Sequence, residues 1–373
     1  MIDDLGGAVV LLYTEADRLG GAEVVLQHLV RGLGSDMRPV VAGPYADVVH
    51  GIAAVRPGTE VRVVPSISSR RDLAAMRAFR DMVSDLKPDL VHFNLIDMGS
   101  CLGAILAAST LRSVAKVAVE HSARPPYSRG QRLAKVISVR LLDAHVVVSV
   151  ALVDSVARAS LQHRSKVSVI CNGVDVVEPA SSSTRTDGIV RIGVVSRLEE
   201  AKGVDLVVRA LADVPGAELV IAGDGPARSA LEHLASELGV ADRVTFRGWV
   251  HPTGECYCDL DVYVIASHSE VLSMSVLEAM QRGLPVVATD VGGLREAVND
   301  GVTGFVVPPD DVPALAAALR RLIADPTLRR SFGDAGLKEA RERFSAPMMV
   351  ENYLTLYRGV MARERRGWVR RLG

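Results

Sequence analysis

The chain has 373 residues, 49% of them hydrophobic and 4% aromatic, with 43 Lys and Arg against 44 Asp and Glu. That length points to two domains. The near-zero net charge excludes a globally basic nucleic-acid binder. Val, Ala and Leu dominate, which suits buried parallel strands alternating with helices. The opening residues, MIDDLGGAVVLLY, are acidic and place no basic leader before a long apolar segment. No apolar run nears the ~20 residues that span a bilayer, so a cytoplasmic location is expected. Cys101, Cys171, Cys256 and Cys258 show no paired metal-ligand spacing, and His251 near Cys256 and Cys258 adds no second pair. Reduced thiols and no metal site are therefore expected.

Short aliphatic runs read as strands at residues 9–13, 39–42, 61–64, 90–93, 117–120, 145–149 and 167–170. Helical patterns fall between them at 22–32, 73–86, 99–111, 131–142 and 152–160. Such alternation predicts a doubly wound parallel sheet. Glu178–Gly188, EPASSSTRTDG, is polar and aperiodic and reads as a linker. A second series follows, with strands at 191–196, 219–222, 244–246, 262–265, 286–288 and 305–307. Its helices are expected at 204–211, 227–238, 276–282, 312–323 and 328–343, and a final amphipathic helix begins at Met348. The expected domains are residues 1–177 with the crossover helix 348–373, then the linker 178–188, then 189–347. The fold class is α/β, two Rossmann-like domains.

The motifs lie where strands give way to helices. Gly20-Gly21-Ala22-Glu23 separates the first strand from the first helix. Glycines there permit positive φ and close approach of backbone to a ligand, though a plain tight turn explains them as well. His121 ends a strand and opens the Pro-rich stretch Ser122–Tyr127, with Glu120 beside it. His92-Phe93-Asn94 ends an earlier strand, and Asn94 is given no chemical role. Asn172-Gly173 reads as a turn at the domain junction.

Arg197 and Lys202 follow the first strand of the second series, where two cations can neutralise a diphosphate. Gly223-Asp224-Gly225-Pro226 is mainly a structural turn. Gly248 and Trp249 lie in VTFRGWV. Glu270 and Glu278 stand eight positions apart, one after a strand and one in the next helix. Carboxylates so placed accept paired hydrogen bonds from vicinal hydroxyls. The backbone N–H groups between them, at Leu272, Ser273, Met274 and Ser275, open a helix and suit an anion. Gly292-Gly293-Leu294-Arg295-Glu296 reads as a strand-to-helix loop whose glutamate helps cap the helix, and Asp310-Asp311 as a helix start.

Together these segments resemble the retaining glycosyltransferases of family 4, which have the GT-B fold. The matching stretches are GGAE at Gly20, RLEEAKGVDL from Arg197 with Ser196 in place of the family's glycine, GDGP at Gly223, CNGVD with Cys171 in place of proline, and GGLRE at Gly292. The resemblance runs from Gly20 to about Phe344 and is densest after Arg191. Val271 stands where relatives usually carry Gly, and Ser273 where Gly or Pro is common.

The resemblance implies a cleft between two domains that closes on a nucleotide-sugar donor held mainly by the second. Arg197 and Lys202 would meet the diphosphate, Glu278 the ribose and Glu270 the sugar. Gly248 and Trp249 would read the base through backbone, and Gly20 and Gly21 would line the cleft. His121 would touch the transferred sugar. His121, Arg197, Lys202 and Glu270 are thus the implied catalytic group. No cofactor or metal is implied, since cations and a helix dipole replace one. The donor would be a UDP-sugar, with GDP-mannose second, and the acceptor a hydroxyl of a glycoconjugate, polysaccharide or secondary metabolite.

Other readings differ by feature. A nucleotide-sugar 2-epimerase shares the fold, but GGAE and the Arg197/Lys202 spacing favour transfer. A non-catalytic nucleotide-sugar-binding partner would not need Arg197, Lys202, Glu270 and Glu278 together. A dinucleotide enzyme lacks its fingerprint, because DRLGGAE is not Gly-x-Gly-x-x-Gly. Arg70, Arg71, Arg77, Arg80, Arg129, Arg132, Lys135 and Arg140, with the tail from Arg363 to Arg371, read as solvated helix faces in preference to a peripheral membrane contact. Oligomeric state leaves no signal.

Overall fold

Aliphatic runs that cannot face water on either side must be covered by helices on both, and the chain builds two parallel sheets on that rule. The computed structural model describes residues 7–67, 72–111, 114–122, 124, 128–178, 188–250 and 253–372. Most of the expected linker, and with it Arg70, Arg71, Tyr127 and His251, lies outside the described residues. Two units emerge: residues 1–172 with 347–373, and residues 173–346.

The first unit contains β1 (Ala8–Thr14), α1 (Gly21–Gly32), β2 (Met37–Gly43), α2 (Ala46–Ala53), β3 (Glu60–Val63), α3 (Leu73–Leu86) and β4 (Leu90–Leu95). It continues with α4 (Leu102–Ala108), β5 (Ala115–Glu120), α5 (Arg129–Ser138), β6 (Ala144–Val147), α6 (Val150–Ser160) and β7 (Val167–Val169). All pairings are parallel, in the order β3-β2-β1-β4-β5-β6-β7. The order reverses between β1 and β4, where Thr14 stands beside Asn94. Ligands bind in such sheets at the carboxyl ends beside a reversal point.

Local chemistry sets the helix starts. The Asp72 side chain accepts from Ala75 N–H at α3, and Ser128 and Gln131 form a reciprocal capping box at α5. The helix expected from Gly99 begins only at Leu102, because Cys101 before it holds a left-handed conformation, φ 58°.

The second unit contains β8 (Val190–Val195), α7 (Val204–Ala212), β9 (Ala217–Ala222), α8 (Arg228–Glu237), β10 (Val244–Gly248) and β11 (Val262–Ile265). Then come α9 (Met274–Gln281), β12 (Val286–Thr289), α10 (Leu294–Ala297), β13 (Gly304–Val307), α11 (Val312–Ala324) and α12 (Pro326–Arg343). The strand order is β10-β9-β8-β11-β12-β13, again parallel, reversing between β8 and β11. Asp311 caps α11 by accepting from Ala314 N–H at 2.9 Å, as the Asp310-Asp311 pair predicted.

The units divide at Asn172–Gly173 instead of after residue 177. Val174 N–H donates to Phe344 O at 2.9 Å and Val174 O accepts from Ala346 N–H at 2.8 Å, which ties the residues after the turn to the second unit. The final helix, α13 (Ala346–Leu372), belongs from Pro347 onward to the first unit. Val350 packs on Gly32 there, where an added Cβ would sit 2.7 Å from Val350 Cγ1, and His92 Nδ1 lies 2.6 Å from the Tyr357 hydroxyl. No helix among the described residues is long and apolar enough to cross a membrane.

Candidate active site

In the second unit the site residues collect where β8 and β11 end side by side. The loop after β8 carries Arg197 and a single 3₁₀ turn, Glu200–Lys202, closed by Gly203. Gly203 has φ +59°, and a Cβ on it would lie 2.1 Å from Ala266 O in the loop after β11. Only glycine lets the two loops meet so closely. Their meeting brings Lys202 Nζ to 2.8 Å from Glu270 Oε2, with the two side chains 25% and 15% exposed. Arg197 pairs with Glu199 at 2.8 Å.

Past Glu270 the chain enters α9. Leu272 is buried, so only its backbone can serve a ligand. Ser273 and Ser275 hydroxyls lie 3.0 Å apart, and the buried Tyr263 donates to Ser275 Oγ at 2.6 Å, steadying the first turn that also holds Met274. Glu278 accepts from the Tyr257 hydroxyl at 2.7 Å. Burial pushes the Glu278 carboxyl above its usual range against the hydrogen bond from Tyr257 and the charge of Arg282. Arg282 stacks 4.9 Å over the Tyr257 ring. Gly248 and Trp249 stand apart, at the end of β10 and two strands from β8, with Trp249 66% exposed.

The loop Gly292-Gly293 does something the sequence did not reveal. Gly292 has φ +52°, and an added Cβ would fall 1.7 Å from Glu270 O. This glycine therefore sets the height of the Glu270 backbone. Glu296 lies within α10.

In the first unit Gly20 is extended, φ −135°, so the glycine pair does not answer a need for positive φ at that residue. Instead Gly20 N–H donates to Glu23 Oε2 at 3.2 Å, while Glu23 Oε1 accepts from Thr14 Oγ1 and Asn94 Nδ2, each at 3.2 Å. Glu23 thus seats the Gly20–Gly21 loop on β1 and β4, and Asn94 shares in that clamp. Burial raises the Glu23 carboxyl against these hydrogen bonds.

His121 follows β5, its N–H donating to Leu95 O at 3.0 Å and its Nε2 enclosed without a partner among the described residues. Burial lowers its pKa from 6.5 to about 4, against the pull of Glu120. His92 falls to about 3 through burial and the nearby His121. The unfolded chain protonates both rings below pH 6.5 and the folded chain does not, so acid favours unfolding through them from pH 6.5 downward, and above it they contribute nothing. Long-range ¹H–¹⁵N spectra should show both as neutral tautomers at pH 5. An imidazolium signal from either at pH 6 would contradict this.

Lys135, grouped from the sequence with a solvated basic face, is fully buried and paired with Glu120. Ten residues of α5 turn Arg129, Arg132 and Arg140 beyond its end outward but carry Lys135 to the inner face. Among the described residues no group of three His, Cys, Asp or Glu side chains is placed to hold a metal ion.

A family model of group 1 glycosyl transferases matches residues 182–339, and one of glycosyltransferase family 4 matches residues 19–178. The lipopolysaccharide core biosynthesis glycosyltransferase LpsE of Rhizobium meliloti is 34% identical over 183 residues, 49% of this chain and 54% of that protein. The chain spans about half the length of LpsE and of the other curated relatives it first matches. A D-inositol 3-phosphate glycosyltransferase of Geodermatophilus obscurus is 29% identical across 95% of this chain and 85% of its own. Anabaena HepE, solved in complex with UDP, superimposes with a TM-score of 0.80 at 20% identity over 93% of this chain and 98% of that one, a likeness of fold. One family model matches each unit, both sheets are Rossmann-like, and the chain belongs to glycosyltransferase family 4 with the GT-B fold.

Proposed function

We propose that the protein transfers a hexose-type sugar from a nucleoside diphosphate to an acceptor hydroxyl, with retention at the anomeric carbon. The carrying observation is the Lys202–Glu270 pair at the β8/β11 reversal, beside the opening turn of α9. A cation, a row of helix N–H groups and a carboxylate at one sheet edge match the three parts of a sugar diphosphate. In this scheme Arg197 and Lys202 neutralise the diphosphate as the glycosidic C–O bond breaks. Glu270 accepts hydrogen bonds from the sugar and Glu278 from the ribose, and the backbone at Gly248 and Trp249 serves the base. The acceptor hydroxyl attacks on the face the diphosphate leaves, and a phosphate oxygen takes its proton. His121 offers a neutral imidazole to the sugar, and the Gly20–Gly21 loop serves the acceptor side. HepE's complex with UDP supports a UDP-sugar ahead of GDP-mannose.

Thermal shift in excess EDTA tests the donor and the metal-free scheme at once. UDP-glucose and UDP should raise the melting temperature by mass action, and GDP-mannose less. Stabilisation that appears only after Mg²⁺ or Mn²⁺ is restored would overturn the scheme. The two glutamates should also separate by calorimetry. Glu278→Gln weakens UDP and UDP-sugar alike, whereas Glu270→Gln weakens the UDP-sugar and spares UDP. Equal losses for both ligands in both variants would show the roles to be misassigned.

A further inference from the structure

The carboxyl edge of the first sheet holds a buried knot of charge. Glu120, the last residue of β5, is 0% exposed, and its Oε1 accepts from Lys135 Nζ on α5 and from His145 Nε2 on β6, the latter at 2.9 Å. Lys135 is 0% exposed and His145 2%. His145 Nδ1 lies 2.9 Å from Gln162 Oε1, so the knot reaches the end of α6. Burial alone would raise the Glu120 carboxyl, and Lys135 and His145 outweigh it to hold that group below the usual carboxylate range.

Taking a lysine and a glutamate out of water is costly, and well-packed apolar side chains of similar volume commonly match or exceed the stability of such a pair. Stability is therefore a poor reason for three ionisable groups in a dry interior. Geometry is a better one. The peptide after Glu120 is His121, and the enclosed Nε2 of that ring has no partner among the described residues. Among those residues, His121 is held through its backbone, by the N–H bond to Leu95 O that extends the β4–β5 ladder. One carboxylate oxygen ties that strand end to a helix and to the next strand.

We propose that Lys135 is a positioning residue: through its ion pair with Glu120 it fixes the terminus of β5 and so the presentation of His121. An apolar side chain at 135 would fill the space but supply no directional tie, leaving the last peptide of β5 free to tilt. Its consequence for transfer rests on the reading of His121 given above.

The test uses the full chain labelled with ¹⁵N in histidine, as wild type and as Lys135→Met. The variant leaves the buried Glu120 carboxylate with His145 alone, so it should fold with a lowered melting temperature. It should still bind UDP with unchanged affinity, because the nucleotide is assigned to the second unit. The His121 ring signals should shift and split into more than one environment. UDP release from UDP-glucose should fall about tenfold to a hundredfold, the penalty typical of a reacting group misplaced by an ångström. A folded Lys135→Met with an unchanged His121 spectrum overturns the proposal, as does parallel loss of UDP affinity. Should Lys135→Met fail to fold, Glu120→Gln carries the test, since it keeps the shape and removes the charge. Failure of both to fold also overturns it, because the knot would then be a stability element. His121→Ala separates the two readings. If that variant releases UDP as fast as wild type, the role of His121 in transfer fails, while the spectrum still decides positioning.

Discussion

Replacing Lys202 by alanine is expected to lower kcat for transfer by about 10²–10³ while the protein stays folded. The ammonium lies 2.8 Å from Glu270 and is only partly enclosed, with its side chain 25% exposed. A pair at the edge of the sheet that water still reaches contributes on the order of 1 kcal/mol to stability. Its value to the reaction is larger, because negative charge grows on the departing diphosphate and a fixed cation meets it without solvent having to reorganise. The effect should therefore fall on turnover more than on donor binding. Initial rates at saturating donor, with a melting curve beside them, decide the matter. Undiminished turnover in a folded variant would remove Lys202 from the site.

Gly292→Ala should be among the most damaging single methyls in the second unit. The new Cβ would stand 1.7 Å from Glu270 O and 2.8 Å from its carbonyl carbon, so backbone meets backbone and no rotamer relieves it. The residue would also hold φ +52°, which side-chain-bearing residues adopt reluctantly. Clash and strain together should cost about 2–5 kcal/mol. The loop carrying Glu270 must move to make room, so UDP-sugar affinity should fall further than UDP affinity. Gly301→Ala is the control, with φ +73° and nothing within 4 Å of an added Cβ. It should cost only the conformational strain, about 1 kcal/mol. Equal urea midpoints for the two variants would show that Gly292 does not press on Glu270.

The strand pattern was legible because parallel strands buried on both faces must be largely aliphatic, as in β12, where Val286, Val287 and Ala288 are all buried. Helix α2 was not, since eight residues after Tyr45 carry no polar cap to announce a start. The approach of Lys202 to Glu270 could be expected from family resemblance, but its cause could not. Gly203 and Gly292 each look like loop punctuation until the facing carbonyls of Ala266 and Glu270 are seen. Glu23 and Asn94 lie 71 positions apart, so their hydrogen bond has no trace in local spacing. Lys135 misled for a related reason. Arginines close by on α5 and just past it make a face that looks uniformly wet, and only the turn of the helix sends one cation inward.

The first unit is written in two pieces, residues 1–172 and 347–373, with the whole second unit between them. During vectorial synthesis the early sheet emerges long before the helix that covers His92 with Tyr353 and Tyr357. The second unit is contiguous and has no such wait. A nascent chain can therefore complete its later domain while the earlier one still lacks α13, leaving the face around Gly32 and His92 uncovered until that helix emerges.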